Sequence, residues 1–345
     1  MLDVALVRTG RRTPILALAC PTPEQQQRAF NVPDENIADR RITPGFFPDD
    51  APIRMSASGH RALVVLPRGE VAGFAPNRPP RRFRPRAGET VVATGWHKSY
   101  LLAVTRDKTL FRLWLAPRGA GGMPANQIAV LDVPVLLEHL PSVGQVWANH
   151  DRTKWLVAGE GWGWIADRQA GQVTSIEGQV LGHGASNRAY VFIVLDPDGT
   201  VRMRGSGIAP QPVGRAPVRR ALLTLPGGDA TSAFVALNVA DRVWRVVRCW
   251  RGSTVIELTE PPGIRLVGFQ PSKREVGLLV LEPDQRTFSV VGRSASRVLH
   301  VHETGPVGTM ALAQSGQAFA YLAGGELHVI SSGGRRLLRE RGNPP

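Results

Sequence analysis

A recurring unit constrains the fold of this chain more than any other feature of its sequence. Each unit is a β-rich apolar run, a short polar or glycine-containing turn, and a second β-rich run. The second runs begin at residues 71, 110, 162, 201, 243, 287 and 327, at intervals of 39, 52, 39, 42, 44 and 40 residues. Five of the six intervals lie close to the period of about 40–45 residues that repeats of four antiparallel strands keep. The repeat therefore predicts an all-β fold built from seven such units.

Further apolar runs complete the units. Those that precede a hairpin, as at residues 53–55, 91–93 and 143–147, are expected to be innermost strands, and those that follow one, at 297–302 and 335–341, outermost strands. A single unit cannot bury both faces of its sheet, so only a closed ring makes a stable core. We predict that residues 51–342 form a seven-bladed β-propeller of four-stranded antiparallel blades. The one long interval indicates an insertion at residues 119–140.

Residues 1–50 fall outside the period. Residues 2–7 have a strand pattern and could close the ring by pairing with the last blade, although residues 335–341 already supply that blade with an outer strand. Residues 21–50 are expected to be a connector. The sequence from Arg11-Arg12 to Cys20 imitates a twin-arginine export signal, but its apolar stretch is minimal and Asp3 precedes the arginines. A structured N-terminus in a cytoplasmic protein is the favoured interpretation.

The charge balance indicates an acidic partner. The net charge is +14, with four lysines against 38 arginines. Such an excess of base favours an acidic protein face, nucleic acid or an anionic membrane surface. The two cysteines, Cys20 and Cys249, have no metal-ligand spacing, which fits a reducing compartment. No apolar run is long enough to span a membrane.

Two segments carry a resemblance to a known superfamily. Residues 307–316, Val-Gly-Thr-Met-Ala-Leu-Ala-Gln-Ser-Gly, match an inner strand followed by a polar turn, and residues 165–171, Ile-Ala-Asp-Arg-Gln-Ala-Gly, match the end of a third strand. In these features residues 51–342 resemble the WD-repeat-like propellers. The resemblance implies a propeller that binds proteins. Only the third blade keeps an Asp near the Trp-Asp position, so no specific family function is carried over.

The arginine-rich, cysteine-poor composition also resembles the propeller component of bacterial ternary systems. Those systems pair the propeller with a MoxR-type AAA ATPase and a von Willebrand A-domain protein. The resemblance implies that these two classes of protein are partners of this chain.

Common signatures of catalysis are absent from the sequence. No glycine precedes any of the four lysines, which excludes a P-loop, and there is no Gly-x-Ser-x-Gly elbow. His300 and His302 share one face of a strand but lack a third metal ligand at the same spacing. We therefore expect no enzyme, cofactor or metal site. Acids from different blades around the central channel remain an alternative source of catalysis.

Two arginine clusters and a tryptophan pair are the candidate partner-binding residues. Arginine offers a bidentate fork to carboxylate or phosphate, and the prolines at 79, 80 and 85 keep the first cluster extended. The clusters fall on the first and seventh blades, which are neighbours in a ring and could form one basic surface. The candidates are Arg78, Arg81, Arg82, Arg84, Arg86, Arg335, Arg336, Trp162 and Trp164. We expect a non-enzymatic scaffold in a bacterial multiprotein assembly, with nucleic-acid or other polyanion binding as the alternative.

Overall fold

Short apolar runs between glycine, proline and aspartate turns form strands throughout the chain. The computed structural model describes residues 4–7, 15–18, 47–66, 69–76, 80–98, 100–107, 110–116, 126–132, 144–149, 151–167, 169–170, 172–186, 189–206, 208–249, 253–271 and 276–341. The chain divides into a unit of residues 1–42 and a unit of residues 43–345. In the first unit, β1 (Val4–Val7) pairs antiparallel with β2 (Ile15–Leu18). The twin-arginine pair, Cys20 and most of the expected connector lie outside the described residues.

The described residues of the second unit form five four-stranded antiparallel sheets and one eight-stranded sheet. The first sheet has β3 (Ile53–Met55), β4 (Ala62–Val65), β5 (Val71–Phe74) and β6 (Arg81–Phe83). The third has β15 (Gln179–Ala185), β16 (Tyr190–Leu195), β17 (Thr200–Gly205) and β18 (Ile208–Arg215), and the fourth has β19 (Ala221–Thr224), β20 (Phe234–Ala240), β21 (Val243–Arg248) and β22 (Ser253–Thr259). The fifth has β23 (Arg265–Pro271), β24 (Val276–Leu281), β25 (Thr287–Val291) and β26 (Ser296–Val301), and the last has β27 (Met310–Leu312), β28 (Ala318–Ala323), β29 (Glu326–Ser331) and β30 (Arg336–Arg341).

The second sheet has eight strands because two antiparallel meanders are joined side by side. One meander has β7 (Thr90–His97), β8 (Tyr100–Asp107), β9 (Leu110–Ala116) and β10 (Asn126–Asp132), and the other has β11 (Gly144–Ala148), β12 (Lys154–Gly159), β13 (Trp162–Asp167) and β14 (Gln172–Ser175). Their first strands pair in parallel, with Gly144 opposite Ala93. A Cβ on Gly95 would lie 1.9 Å from the carbonyl oxygen of Val146, so this close approach requires glycine. The expected insertion at 119–140 is corrected in part, because β10 lies inside it and is the fourth strand of its meander.

The sheets are arranged in a propeller ring. Consecutive sheets contact each other through their first strands at most junctions, and at the junction of the second and third sheets β12 and β13 contact β15. Strand β7 pairs with β11 inside the eight-stranded sheet, and β27 of the last sheet contacts β3 of the first. Apolar side chains fill the spaces between sheets. One such core cluster contains Leu63 and Phe83 of the first sheet and Trp96, Leu101 and Trp114 of the second. The predicted all-β architecture of four-stranded antiparallel blades in a ring is confirmed.

Residues 47–51 fasten the first sheet to the last. The backbone N–H of Thr309 donates to the carbonyl of Asp49 at 2.6 Å, and the N–H of Gly325 donates to the Asp49 carboxylate at 3.1 Å. Phe47 packs edge-on against Phe74 of the first sheet, with ring centroids 5.4 Å apart. All four strands of the last sheet come from residues 310–341. In the part of the chain described above, no helix is both long and apolar enough to cross a membrane.

Candidate partner-binding surface

The first arginine cluster lies on and after the outermost strand of the first sheet. Strand β6 pairs with β5, with Arg81 opposite Gly73 and Arg82 opposite Ala72. Phe83 is buried between these arginines and Arg84, which anchors the strand to the core. We call Arg81, Arg82, Arg84 and Arg86 the arginine strip. Arg78, the remaining candidate of this cluster, lies outside the described residues.

A glutamate compensates part of the charge of the arginine strip. Glu70 accepts from Nη1 of Arg82 at 3.0 Å, and its other oxygen lies 3.4 Å from Nε of Arg84. Arg82 and Glu70 are both mostly buried, whereas the side chain of Arg84 is 60% exposed. The Glu70–Arg82 ion pair therefore stabilises the position of the strip on its own sheet. The side chain of Arg84 stays mostly exposed and available to a partner.

Tryptophan rings support the other two arginines of the strip. The guanidinium of Arg86 lies 4.8 Å from the centre of the Trp114 ring, and that of Arg81 lies 6.0 Å from the Trp96 ring. Trp114 is itself fixed, because its Nε1–H donates to the hydroxyl of Thr105 at 2.7 Å. A cation over an aromatic face gains about 0.5–1 kcal/mol at an exposed site. The contact with Trp114 holds the exposed side chain of Arg86 in a defined position, whereas Arg81 is partly buried beside Trp96.

The second cluster lies on the outermost strand of the last sheet, where acids compensate its charge. Arg336 is 3.9 Å from the carboxylate of Glu303, and Arg339 binds both oxygens of Glu326, at 2.7 and 3.3 Å. Arg335 is exposed, and its backbone N–H donates to the hydroxyl of Ser331 at 3.0 Å. The two clusters therefore lie on the outer strands of sheets that are neighbours in the ring. That they form one basic surface stays a prediction.

The structure places Trp162 and Trp164 in different surroundings. Trp164 is 1% exposed and packs edge-on against Phe111, with ring centroids 5.8 Å apart. Trp162 is partly buried and covers Gly144, where an added Cβ would lie 2.9 Å from its ring. Because the Trp164 ring is enclosed, it offers no surface to a partner, and only Trp162 retains the exposure that the predicted role needs.

His300 and His302 belong to a buried cluster between the last two sheets. Nε2 of His300 lies 2.8 Å and Nδ1 of His302 lies 3.2 Å from the hydroxyl of Tyr321. Tyr321 is fully buried and stacks on His328, with ring centroids 4.8 Å apart and planes inclined by 8°. The two histidines that the sequence places on one strand face thus share a tyrosine hydroxyl.

Burial disfavours the protonated form of each histidine in this cluster. Burial lowers the pKa of His328 to about 4, and the charge of His302 adds to the shift. The pKa values of His300 and His302 are also lowered, mainly by burial, and that of Tyr321 is raised for the same reason. Within the described residues, no group of three or more His, Cys, Asp or Glu side chains could hold a metal ion.

The strands nearest the ring axis are poor in acids. None of the first strands of the sheets and meanders contains an aspartate or glutamate in its described range. They carry two histidines instead, His97 on β7 and His183 on β15. Burial lowers the pKa of His183 to about 4, with the charge of Arg54 as the second cause. The His183 ring packs edge-on against Trp147 at 5.3 Å. Paired carboxylates for acid–base chemistry would have to come from other strands.

One basic segment is missing from the sequence-based candidates. Residues 215–220, Arg-Ala-Pro-Val-Arg-Arg, connect β18 to β19, and Arg215, Arg219 and Arg220 are all exposed. The signal was available, because the segment repeats the combination of arginine and proline that marks residues 78–86. In a chain with 38 arginines, however, composition alone does not distinguish this segment from the others.

Comparison with known proteins supports the fold. No protein-family model matches the chain. No curated protein matches it either. Among solved structures, the chain is similar to a chain of the crystal structure of the mitotic checkpoint complex, with a TM-score of 0.54 and 14% identity over 91% of this chain and 96% of that one. The fold is a β-propeller. At this identity the likeness shows the fold alone.

Proposed function

We propose that this protein is a non-enzymatic scaffold that binds partner proteins through exposed arginines on a rigid propeller. The observation that carries the proposal is the arginine strip. Glu70 and Trp114 hold Arg84 and Arg86 in place at the rim while their side chains stay exposed. Positions fixed before binding reduce the conformational entropy that a partner must offset, which favours specific recognition.

We further propose that the ring has seven blades. The support is the construction of the eight-stranded sheet, in which two antiparallel four-stranded meanders meet only through the parallel pairing of β7 and β11. Counted as two blades, these meanders and the five separate sheets match the seven sequence units. Fastening of the first sheet to the last through Asp49 supports a rigid disc.

The proposed partners are acidic proteins of a bacterial assembly in the cytoplasm. The net charge of +14 supports an acidic binding face, and the structural neighbour comes from a protein complex. A MoxR-type AAA ATPase and a von Willebrand A-domain protein are the proposed components, supported by the resemblance in composition. Cys249 is buried and free, and burial raises the pKa of its thiol to about 12, which fits a structural thiol in a reducing compartment.

Polyanion binding is the second candidate, because phosphate accepts the same bidentate arginine contacts as carboxylate. It predicts an affinity that falls steeply with salt. Enzymatic activity in the central channel is a third candidate. The partly buried His183, whose pKa burial lowers to about 4, is a group that such an activity could use.

The test is affinity capture of the tagged full chain from its native host, with nuclease, at low and moderate salt. A variant with R84Q and R86Q is the probe, and a variant with R293Q and R297Q, at exposed positions on the fifth sheet, is its charge-matched control. We expect the same proteins with the wild type and the control at moderate salt, and their loss with the probe. Capture of nucleic acid alone, once nuclease is omitted, would replace the scaffold with the polyanion binder.

A further inference from the structure

Residues 215–220 form a rigid basic segment on the connection from the third sheet to the fourth. At one end the N–H of Ala216 donates to the carbonyl of Gly199 at 2.9 Å. At the other, the N–H of Arg219 donates to the carbonyl of Asn238 at 3.2 Å, and the N–H of Asn238 donates back to Arg220 at 3.0 Å. Between them, Val218 is buried in the core shared by the two sheets. The backbone is therefore fixed before any partner binds.

The three arginines of this segment have no acidic partner among the described residues, unlike Arg82 and Arg84 of the strip, which share Glu70. Within the described residues, the guanidiniums of Arg215, Arg219 and Arg220 make no hydrogen bond, ion pair or ring contact. The nearest turn carries two aspartates, but both are engaged. Asp196 pairs with Arg202 and, at 2.6 Å, with Arg204, and Asp198 pairs with Arg202 at 3.2 Å.

We propose that residues 215–220 bind an acidic segment of a partner protein. Three exposed guanidiniums on a fixed backbone offer bidentate positions to successive carboxylates at little cost in ordering. The segment carries no aromatic side chain on which a nucleic-acid base could stack, which favours a peptide over a single strand. The biological meaning of this proposal rests on the proposed scaffold role. The surface at residues 215–220 is separate from the arginine strip.

The test measures the anisotropy of a labelled peptide that alternates glutamate and serine, titrated with the full chain. The probe is the triple variant R215Q/R219Q/R220Q. The control is R248Q/R293Q/R297Q, which removes the same charge from exposed positions elsewhere. We expect the probe to weaken binding by at least about tenfold and the control by no more than about twofold. Equal losses in both variants would mean that net charge alone attracts the peptide, and the inference would be wrong.

Two further measurements distinguish an acidic peptide from nucleic acid, and this proposal from the proposed scaffold function. An oligothymidylate of the same net charge that binds more tightly than the peptide, and through the same three arginines, would overturn the acidic-peptide inference in favour of nucleic acid. If the triple variant captures the host proteins and binds the peptide like wild type, this inference fails while the scaffold stands. If capture yields no protein but the triple variant still loses the peptide, the scaffold fails while the segment remains an acidic-peptide site.

Discussion

The arginine strip on the first sheet and the basic segment at residues 215–220 have similar sequences but different electrostatics. In the strip, Arg82 and Arg84 share Glu70, and Arg86 lies over Trp114. In the segment, three exposed guanidiniums have no partner within the described residues. The mostly buried Arg82 contributes to the stability of its own sheet, whereas the exposed Arg84 and Arg86 and the unpaired arginines of the segment are available to a partner. Exposure and pairing, more than the number of arginines, therefore distinguish the two surfaces for which we propose partner binding.

The largest expected effect is loss of the aromatic support under the strip. Trp114 is buried, donates to Thr105 and lies beside Phe83, with ring centroids 5.7 Å apart. Trp114→Ala should lower the free energy of unfolding by about 3–5 kcal/mol, as expected for a buried tryptophan. Chemical denaturation measures this change. A loss below about 1 kcal/mol would show that the strip is not anchored in the core as described.

Acidification should weaken the fold without changing either arginine surface. His328 has a pKa of about 4 in the folded protein, against about 6.5 when unfolded. The unfolded chain therefore binds more protons between these values, so stability is full above pH 6.5 and falls as the pH drops. We expect the titration of His328 alone to lower the free energy of unfolding by about 2 kcal/mol between pH 7 and pH 5, and His183 to add to that loss.

The variant His328→Asn isolates this contribution, because it removes the titrating group from the cluster with Tyr321. Its unfolding free energy should depend less steeply on pH over the same range. An unchanged pH profile would assign the acid sensitivity to other groups, of which His183 is the first to test because burial also lowers its pKa to about 4.

Removing the acid of the strip should have a smaller effect. Glu70→Gln takes the charge from a mostly buried pair with Arg82 and should cost about 1–2 kcal/mol. The matched control is Glu257→Gln, because Glu257 pairs with Arg245 at 2.9 Å where both side chains are about half exposed. That pair should contribute less than about 0.5 kcal/mol. Equal losses of unfolding free energy in the two variants would contradict the distinction between a mostly buried arginine pair and an exposed one.

The smallest expected effect on stability comes from the basic segment. The triple variant R215Q/R219Q/R220Q should unfold within about 0.5 kcal/mol of wild type, because the three side chains are exposed and unpaired. Thermal or chemical denaturation of the variant measures this. A loss above about 1 kcal/mol would indicate structural contacts for these arginines and would weaken their assignment to a partner.

Much of the fold could be predicted because its signals are local. Residues 190–195 and 201–204 flank Asp196-Pro-Asp-Gly199, and they form β16 and β17 as the hairpin pattern indicates. The parallel pairing of β7 with β11 could not be predicted, since it joins strands about 50 residues apart and its requirement for Gly95 shows only in three dimensions. Because side chains two residues apart point to the same side of a strand, the sequence predicted that Trp162 and Trp164 share one face of the sheet. Only the folded structure shows that Trp164 is enclosed against Phe111.

The candidate site was predictable in part. Arginine and proline clustering identified the strip, but sequence spacing does not show that Glu70 reaches Arg82 across the hairpin. The segment at 215–220 has a similar combination of arginine and proline. Its arginines lack an acidic partner because the nearby Asp196 and Asp198 already pair with other arginines. Pairing of this kind is a property of the folded molecule, which composition cannot supply.

Hydrogen exchange of the full chain, free and in the complex recovered by capture, tests the central claim most directly. We predict that partner binding slows amide exchange at residues 80–89 and 215–220, with little change at residues 293–300, which carry exposed arginines on the fifth sheet. Protection confined to other parts of the ring, or no protection at either basic surface, would contradict a scaffold that binds its partners through exposed arginines.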